Sequence, residues 1–214
     1  MSRVTSDTPS DDALAAPSEV EQRVLDAVLA CSSRWGFARL TIDDIATESG
    51  VSRATIYRLF PGGKEVLFEA LRVRELDAFF AELRSEVAGS HTLDELMVRS
   101  VVTATRCLRA DDHLAAMLAS EPGDTLGQLT VDGLPRIVRM ASMTLLPLAA
   151  PFLDADDARR VIDLLARLTI SYFLAPSDDI DLADEAAARR FITPVLAAVA
   201  VSTTDTPDYL RSNQ

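Results

Sequence analysis

Cysteine and histidine are scarce in this chain, with two of each in 214 residues. Cys31 and Cys107 lie 76 positions apart, and no Cys/His spacing of a zinc site or a redox pair can be assembled from them with His91 and His113. Aromatics make up 6%, with 8 glycines and 10 prolines. That excludes collagen-like chains, wholly disordered chains and disulfide miniproteins. Lysine is nearly missing, since Lys64 stands alone among the 21 basic residues and the rest are arginine. Long apolar runs are missing as well. The longest, 143–153, has eleven residues and two prolines, too few to span a bilayer. The first twenty residues lack the apolar stretch of a secretory signal. A cytoplasmic protein without a membrane partner is expected.

Acidic residues are plentiful. The net charge is −12, from 21 basic and 33 acidic side chains. Taken whole, that argues against nucleic acid as a partner. The charge is unevenly spread, however. Residues 19–74 carry eight basic and eight acidic groups, whereas 75–214 carry twelve and twenty-two. If any part meets DNA phosphate, it is the neutral N-terminal third.

No stretch alternates with period two, and strong helix formers dominate from Ser18 onward. An all-α fold is predicted. Residues 1–17, rich in Ser, Thr, Asp, Ala and Pro, read as a disordered tail. Helices are expected over 19–35, 42–48, 53–59, 64–87, 93–110, 111–119, 134–149, 155–174 and 182–200. The segment 121–133, with three glycines and a proline, reads as irregular, and 203–214 as a flexible C-terminus. Val20, Val24, Ala27, Val28 and Cys31 recur at helical spacing, and Trp35-Gly36-Phe37 supplies a glycine stop with buried aromatics. Pro194 is expected to kink the last helix.

Two short helices are expected between residues 41 and 60. Thr41, with Asp44 three residues on, opens the first in a capping-box pattern. Gly50 can take the left-handed conformation that a tight turn requires. Ser52 caps the second. Two short helices joined by such a turn are the sequence form of a helix-turn-helix. On the second helix, Ile56, Leu59 and Phe60 suit a core, leaving Arg53, Thr55, Tyr57 and Arg58 outward. Arginine can reach guanine O6 and N7 in the major groove, and hydroxyls bind phosphate. The helix starts at Thr41 and Ser52 offer backbone N–H groups to phosphate, and Lys64 adds a cation. The predicted DNA-contacting set is therefore Thr41, Ser52, Arg53, Thr55, Tyr57, Arg58 and Lys64.

Residues 41–67 closely resemble the N-terminal signature of TetR-family regulators, which are similar to the tetracycline repressor. The matches are Thr41, Ile45, Ala46, Gly50, Val51, Ser52, Thr55, Tyr57, Phe60, Lys64 and Leu67. One departure stands out: Phe60 and Lys64 are four residues apart, where the signature has three. The extra glycine of Gly62-Gly63 shifts or rotates Lys64. The resemblance implies an N-terminal three-helix DNA-binding domain, here 18–63, and a C-terminal helical ligand-binding and dimerisation domain, here 64–202. It implies a homodimer on a palindromic double-stranded DNA operator, acting as a repressor released by a small effector, with a lipophilic compound as the family expectation. Leu164, Leu168, Phe191, Val195 and Val199 are the expected dimer contacts. Met97, Arg106, Met117, Met140, Met143 and Tyr172 are the expected lining of an effector pocket, with ordinary core packing as the competing explanation.

Two other readings compete. A helical adaptor with a degenerate headpiece, or a regulator without a ligand, would use the same helices. An enzyme would need a nucleophile elbow, a phosphate loop or a metal motif, and none is present. The adjacent carboxylates Asp43-Asp44, Asp111-Asp112, Asp156-Asp157 and Asp178-Asp179 fall at helix starts or in loops, where capping explains them. No catalytic residue, cofactor or metal is expected.

Overall fold

In the computed structural model, which describes residues 18–120 and 122–204, every regular element is an α-helix. Two compact units divide the chain between Leu71 and Arg72. The first holds α1 (Glu19–Trp35), α2 (Ile42–Ser49), α3 (Arg53–Leu59) and the start of α4 (Lys64–Val87). The second holds the rest of α4, then α5 (Leu93–Ala110), α6 (Asp112–Ser120), α7 (Pro122–Leu129), α8 (Leu134–Ala149), α9 (Ala155–Leu174) and α10 (Glu185–Thr204).

Each short helix of the first unit begins on a side chain that satisfies an otherwise orphaned N–H. Ser18 and Glu21 form a full capping box on α1, and Thr41 and Asp44 form one on α2. Ser52 accepts from the Thr55 N–H at the start of α3. Gly50 ends α2 at φ 64°, ψ 21°, in the left-handed conformation. Val24, Val28, Leu40, Ile45, Ile56 and Leu67 are sealed together in one core. Leu71 joins them, so the first turns of α4 belong to this unit, and the expected division at 63/64 moves into the helix. Phe37 packs edge-on against Phe68 at 4.6 Å. Trp35 is not buried as expected: it is the last residue of α1 and stands exposed.

The second unit has its own core. Leu96, Met97 and Val101 of α5 meet Val161, Ile162 and Leu165 of α9 and Ile192 and Leu196 of α10. Thr92 caps α5, and Asp154 caps α9 by accepting from the N–H groups of Asp156 at 3.0 Å and Asp157 at 3.1 Å. The segment expected to be irregular contains α7. Its first residue is Pro122, where a fixed φ and a missing N–H cost nothing. The last helix starts at Glu185 instead of 182. Leu182 is buried ahead of it, and the Asp184 carboxylate accepts from the Ala187 N–H at 2.8 Å. That helix continues through Pro194 to Thr204, so residues 203 and 204 are helical. The expected tail 1–17 and the remainder of the expected flexible end, 205–214, lie outside the described residues.

Candidate nucleic-acid interface

Three consecutive devices set the recognition helix in place. Ile45 of α2 and Ile56 of α3 are fully buried, which fixes how the two helices pack. Phe60 closes α3, with its N–H donating to Ile56 O at 2.8 Å. The turn Pro61-Gly62-Gly63 then starts α4, with the Gly63 N–H donating to Phe60 O at 3.0 Å. Both glycines have positive φ, 122° and 71°. A Cβ on Gly62 would lie 2.5 Å from Val66 Cγ2. This is how the extra residue between Phe60 and Lys64 is accommodated. Gly62→Ala is expected to destabilise the first unit by about 1–3 kcal/mol through backbone strain and the clash. The check is the thermal midpoint, expected to fall by several degrees; an unchanged midpoint would mean that the turn reshapes freely.

With Ile56 inward, α3 presents Arg53, Tyr57 and Arg58 to solvent, and Tyr57 keeps 53% of its surface exposed. Arg58 has no ion-pair partner among the described residues. Thr55 is half-buried, and its hydroxyl shares a hydrogen bond with Ser52 Oγ at 2.9 Å. Arg53 is paired with Asp43 of α2 at 2.8 Å. Exposed guanidiniums and a phenol on one short helix are groups that read base edges and phosphates.

Two members of the predicted set also bond within the first unit. Thr41 stays exposed and bonds back upon its own helix. Its N–H and hydroxyl both donate to the Asp44 carboxylate, at 3.0 and 2.6 Å, and its Oγ1 accepts from the Asp44 N–H. Those bonds, from the Thr41 hydroxyl first and its backbone N–H next, hold the Asp44 carboxyl below its ordinary range. A carboxylate thus occupies the helix start where phosphate was expected. Lys64 reaches back to the Ala38 carbonyl at 3.3 Å and lies over the Phe68 ring at 5.2 Å. It ties the α1–α2 connection to α4. Arg39, in that connection, is exposed and without an ion-pair partner among the described residues. Sequence reasoning passed over it, although a cation two residues ahead of the Thr41 cap was the available signal.

The predicted effector-pocket residues are spread over α5, α6, α8 and α9. Met97 is sealed in the core, and Met143 is 66% exposed on α8. Met140 packs against the second core, and Met117 is half-buried on α6. Tyr172 packs on Phe191 with ring centroids 5.5 Å apart. Arg106 donates from Nε to Ala183 O at 2.9 Å. A groove of about 750 Å³ on the second unit is lined by Asp94, Arg189, Thr193 and neighbours on α10. The predicted dimer residues divide as well. Leu164 is 37% exposed, whereas Leu168 and Phe191 pack against the monomer core. Val195 is half-buried, and the Val199 side chain lies outside the described residues. Burial raises the thiols of Cys31 and Cys107 above their ordinary range, so both stay protonated at neutral pH. Burial pushes the His113 imidazole down.

A helix-turn-helix with an outward arginine-bearing second helix, followed by a separate all-helical unit, defines a class of DNA-binding regulators. The comparisons agree. A sequence model of the family described as bacterial regulatory proteins, tetR family, matches residues 24–71. The HTH-type transcriptional regulator AlkX of Mycobacterium tuberculosis is 30% identical over 193 residues, covering 84% of this chain and 86% of that protein. An uncharacterised HTH-type transcriptional regulator of the same bacterium is 26% identical over 170 residues, covering 69% and 87%. Among solved structures, the TetR-family repressor AlkX from Dietzia sp. strain DQ12-45-1b shares the fold at TM-score 0.60 and 22% identity, covering 83% of this chain and 95% of that one. The regulator FadR from Bacillus subtilis, solved with stearoyl-CoA, shares it at TM-score 0.50 and 18% identity, covering 83% and 96%. The chain belongs to the tetR family of bacterial regulatory proteins, and it is a DNA-binding transcriptional regulator.

Proposed function

We propose that this regulator is a homodimeric, cytoplasmic repressor that reads a palindromic operator through α3 and is released by a lipophilic effector held in the second unit. The observation that carries this reading is α3 itself. It is locked by Ile56 on one side and offers Arg53, Tyr57 and Arg58 on the other. Arg58 and Tyr57 take the base and phosphate contacts nearest the helix, and Arg39 takes a flanking phosphate. A two-fold dimer places two such helices on half-sites one helical turn or a multiple apart. Counterion release where its arginines meet phosphate makes binding weaken with salt. The effector class is supported by two relatives' own descriptions: the Dietzia AlkX is implicated in biodegradation of n-alkanes, and the B. subtilis FadR was solved with stearoyl-CoA. No helix among the described residues is long and apolar enough to cross a membrane.

The test is a fluorescence-anisotropy titration with a duplex from upstream of the protein's own gene and with a duplex selected from a random pool by the protein. A scrambled duplex is the control. Preference for the selected duplex by roughly a thousandfold or more supports sequence-specific regulation. Equal binding of all duplexes would overturn it. Adding stearoyl-CoA to the operator complex tests release. Release supports the lipophilic effector, and retention with saturating stearoyl-CoA removes that part of the reading.

A further inference from the structure

Arg53 is the first residue of α3, and Asp43 lies in the first turn of α2. The helix start favours the carboxylate and disfavours the guanidinium, because both N-termini carry partial positive charge. Arg53 therefore needs an anion beside it, and Asp43 supplies one at 2.8 Å. The neighbouring carboxylate Asp44 is bonded instead to the Thr41 N–H and hydroxyl at the start of α2. Both members of the Asp43–Arg53 pair are about two-thirds exposed, at 67% and 65% of their side-chain surface. An ion pair so exposed is weak and exchanges partners readily. On DNA, the incoming partner for Arg53 is a phosphate.

We propose that Asp43 is a specificity-determining residue, an internal competitor that holds Arg53 off random DNA. The inference rests on the reading of α3 as the helix that meets DNA. When Arg53 leaves Asp43 for a phosphate, the freed carboxylate faces the phosphate rows unpaired and repels them. Random DNA therefore gains little from Arg53. An operator that places a cytosine N4 amine within reach lets the Asp43 carboxylate accept a hydrogen bond, and the exchange then becomes favourable. Repulsion at wrong sites and acceptance at the right one is discrimination by an unfavourable contact. Arg58 has no such partner among the described residues, so no carboxylate of the headpiece competes with DNA for it.

The experiment uses the full chain and four proteins: wild type, Asp43→Asn, Arg53→Ala and the double variant. Anisotropy is read on a random-sequence duplex and on the duplex selected by wild type, over a salt series. Asp43→Asn is expected to tighten random-duplex binding roughly threefold to tenfold, with the slope of log K against log salt steeper by about one per protomer. The selected duplex should not gain by the same factor, so the specificity ratio falls. In the Arg53→Ala background the same substitution should gain less than half as much on a logarithmic scale. An unchanged random-duplex affinity and slope would overturn the proposal. So would a full gain without Arg53. Matching thermal midpoints and circular dichroism establish that the variants are folded. Arg58→Ala, run alongside, separates the two failures. If it weakens binding while Asp43→Asn changes nothing, only the Asp43 inference falls. If it too leaves both duplexes bound as by wild type, the placement of α3 falls.

Discussion

Arg58→Ala is expected to reduce affinity for the selected operator by roughly thirtyfold or more while leaving the protein folded. Losing one arginine contact to a base edge costs about 1–3 kcal/mol, and a dimer loses it at both half-sites. The fold should survive because Arg58 is exposed, makes no ion pair among the described residues and lies opposite the buried Ile56. Anisotropy on the operator reads the loss, and circular dichroism with a thermal melt reads the fold. Arg58→Lys refines the result. A lysine keeps the charge but not the planar fork, so a phosphate contact would survive and a bidentate guanine contact would not. Affinity within threefold of wild type for Arg58→Ala would remove α3 from the DNA.

The headpiece was largely legible in the sequence, because its signals are local. A capping residue followed three positions later by an acid, a glycine in a left-handed turn and an isoleucine at the core position each need only a few neighbours. Thr41, Gly50, Ser52 and Ile56 all sit as their spacing predicts. What was not legible depends on partners distant in sequence. Lys64 finds a carbonyl at Ala38, 26 positions back, and Arg53 finds Asp43 across the turn. A motif tells which side chains leave the core but not which of them meet each other outside it. The α7 segment was hidden for another reason. Gly123 and Gly127 lower helix propensity, and Pro122 looks like a breaker unless it is known to be the first residue of a helix. In the second unit, helical periodicity located the helices well. It could not distinguish a methionine facing the core, Met97, from one facing solvent, Met143, because both recur at core spacing.

Leu164→Glu is expected to convert the proposed dimer to a folded monomer and to weaken operator binding by two orders of magnitude or more. Leu168 would be the obvious choice from spacing alone, but it packs against the second core. A charge there would destabilise the monomer, and a lost dimer would then say nothing about the interface. Leu164 is exposed on α9, one turn away and flanked by the Arg167–Asp163 pair at 2.8 Å, so its replacement costs the isolated chain little. In a two-fold interface the same substitution buries two unpaired carboxylates, which strongly disfavours association. Sedimentation velocity at micromolar protein should show the monomer mass with an unchanged thermal midpoint. A retained dimer would place the interface on another face. Operator binding gives the independent reading. Linking two headpieces multiplies affinity by 10²–10⁴ through effective concentration alone, and this factor disappears with the dimer. The salt slope should fall by about half at the same time, because a monomer neutralises the phosphates of one half-site. A large loss of affinity with an undiminished slope would mean that both headpieces still reach the DNA together, and α9 would then hold no part of the contact between protomers.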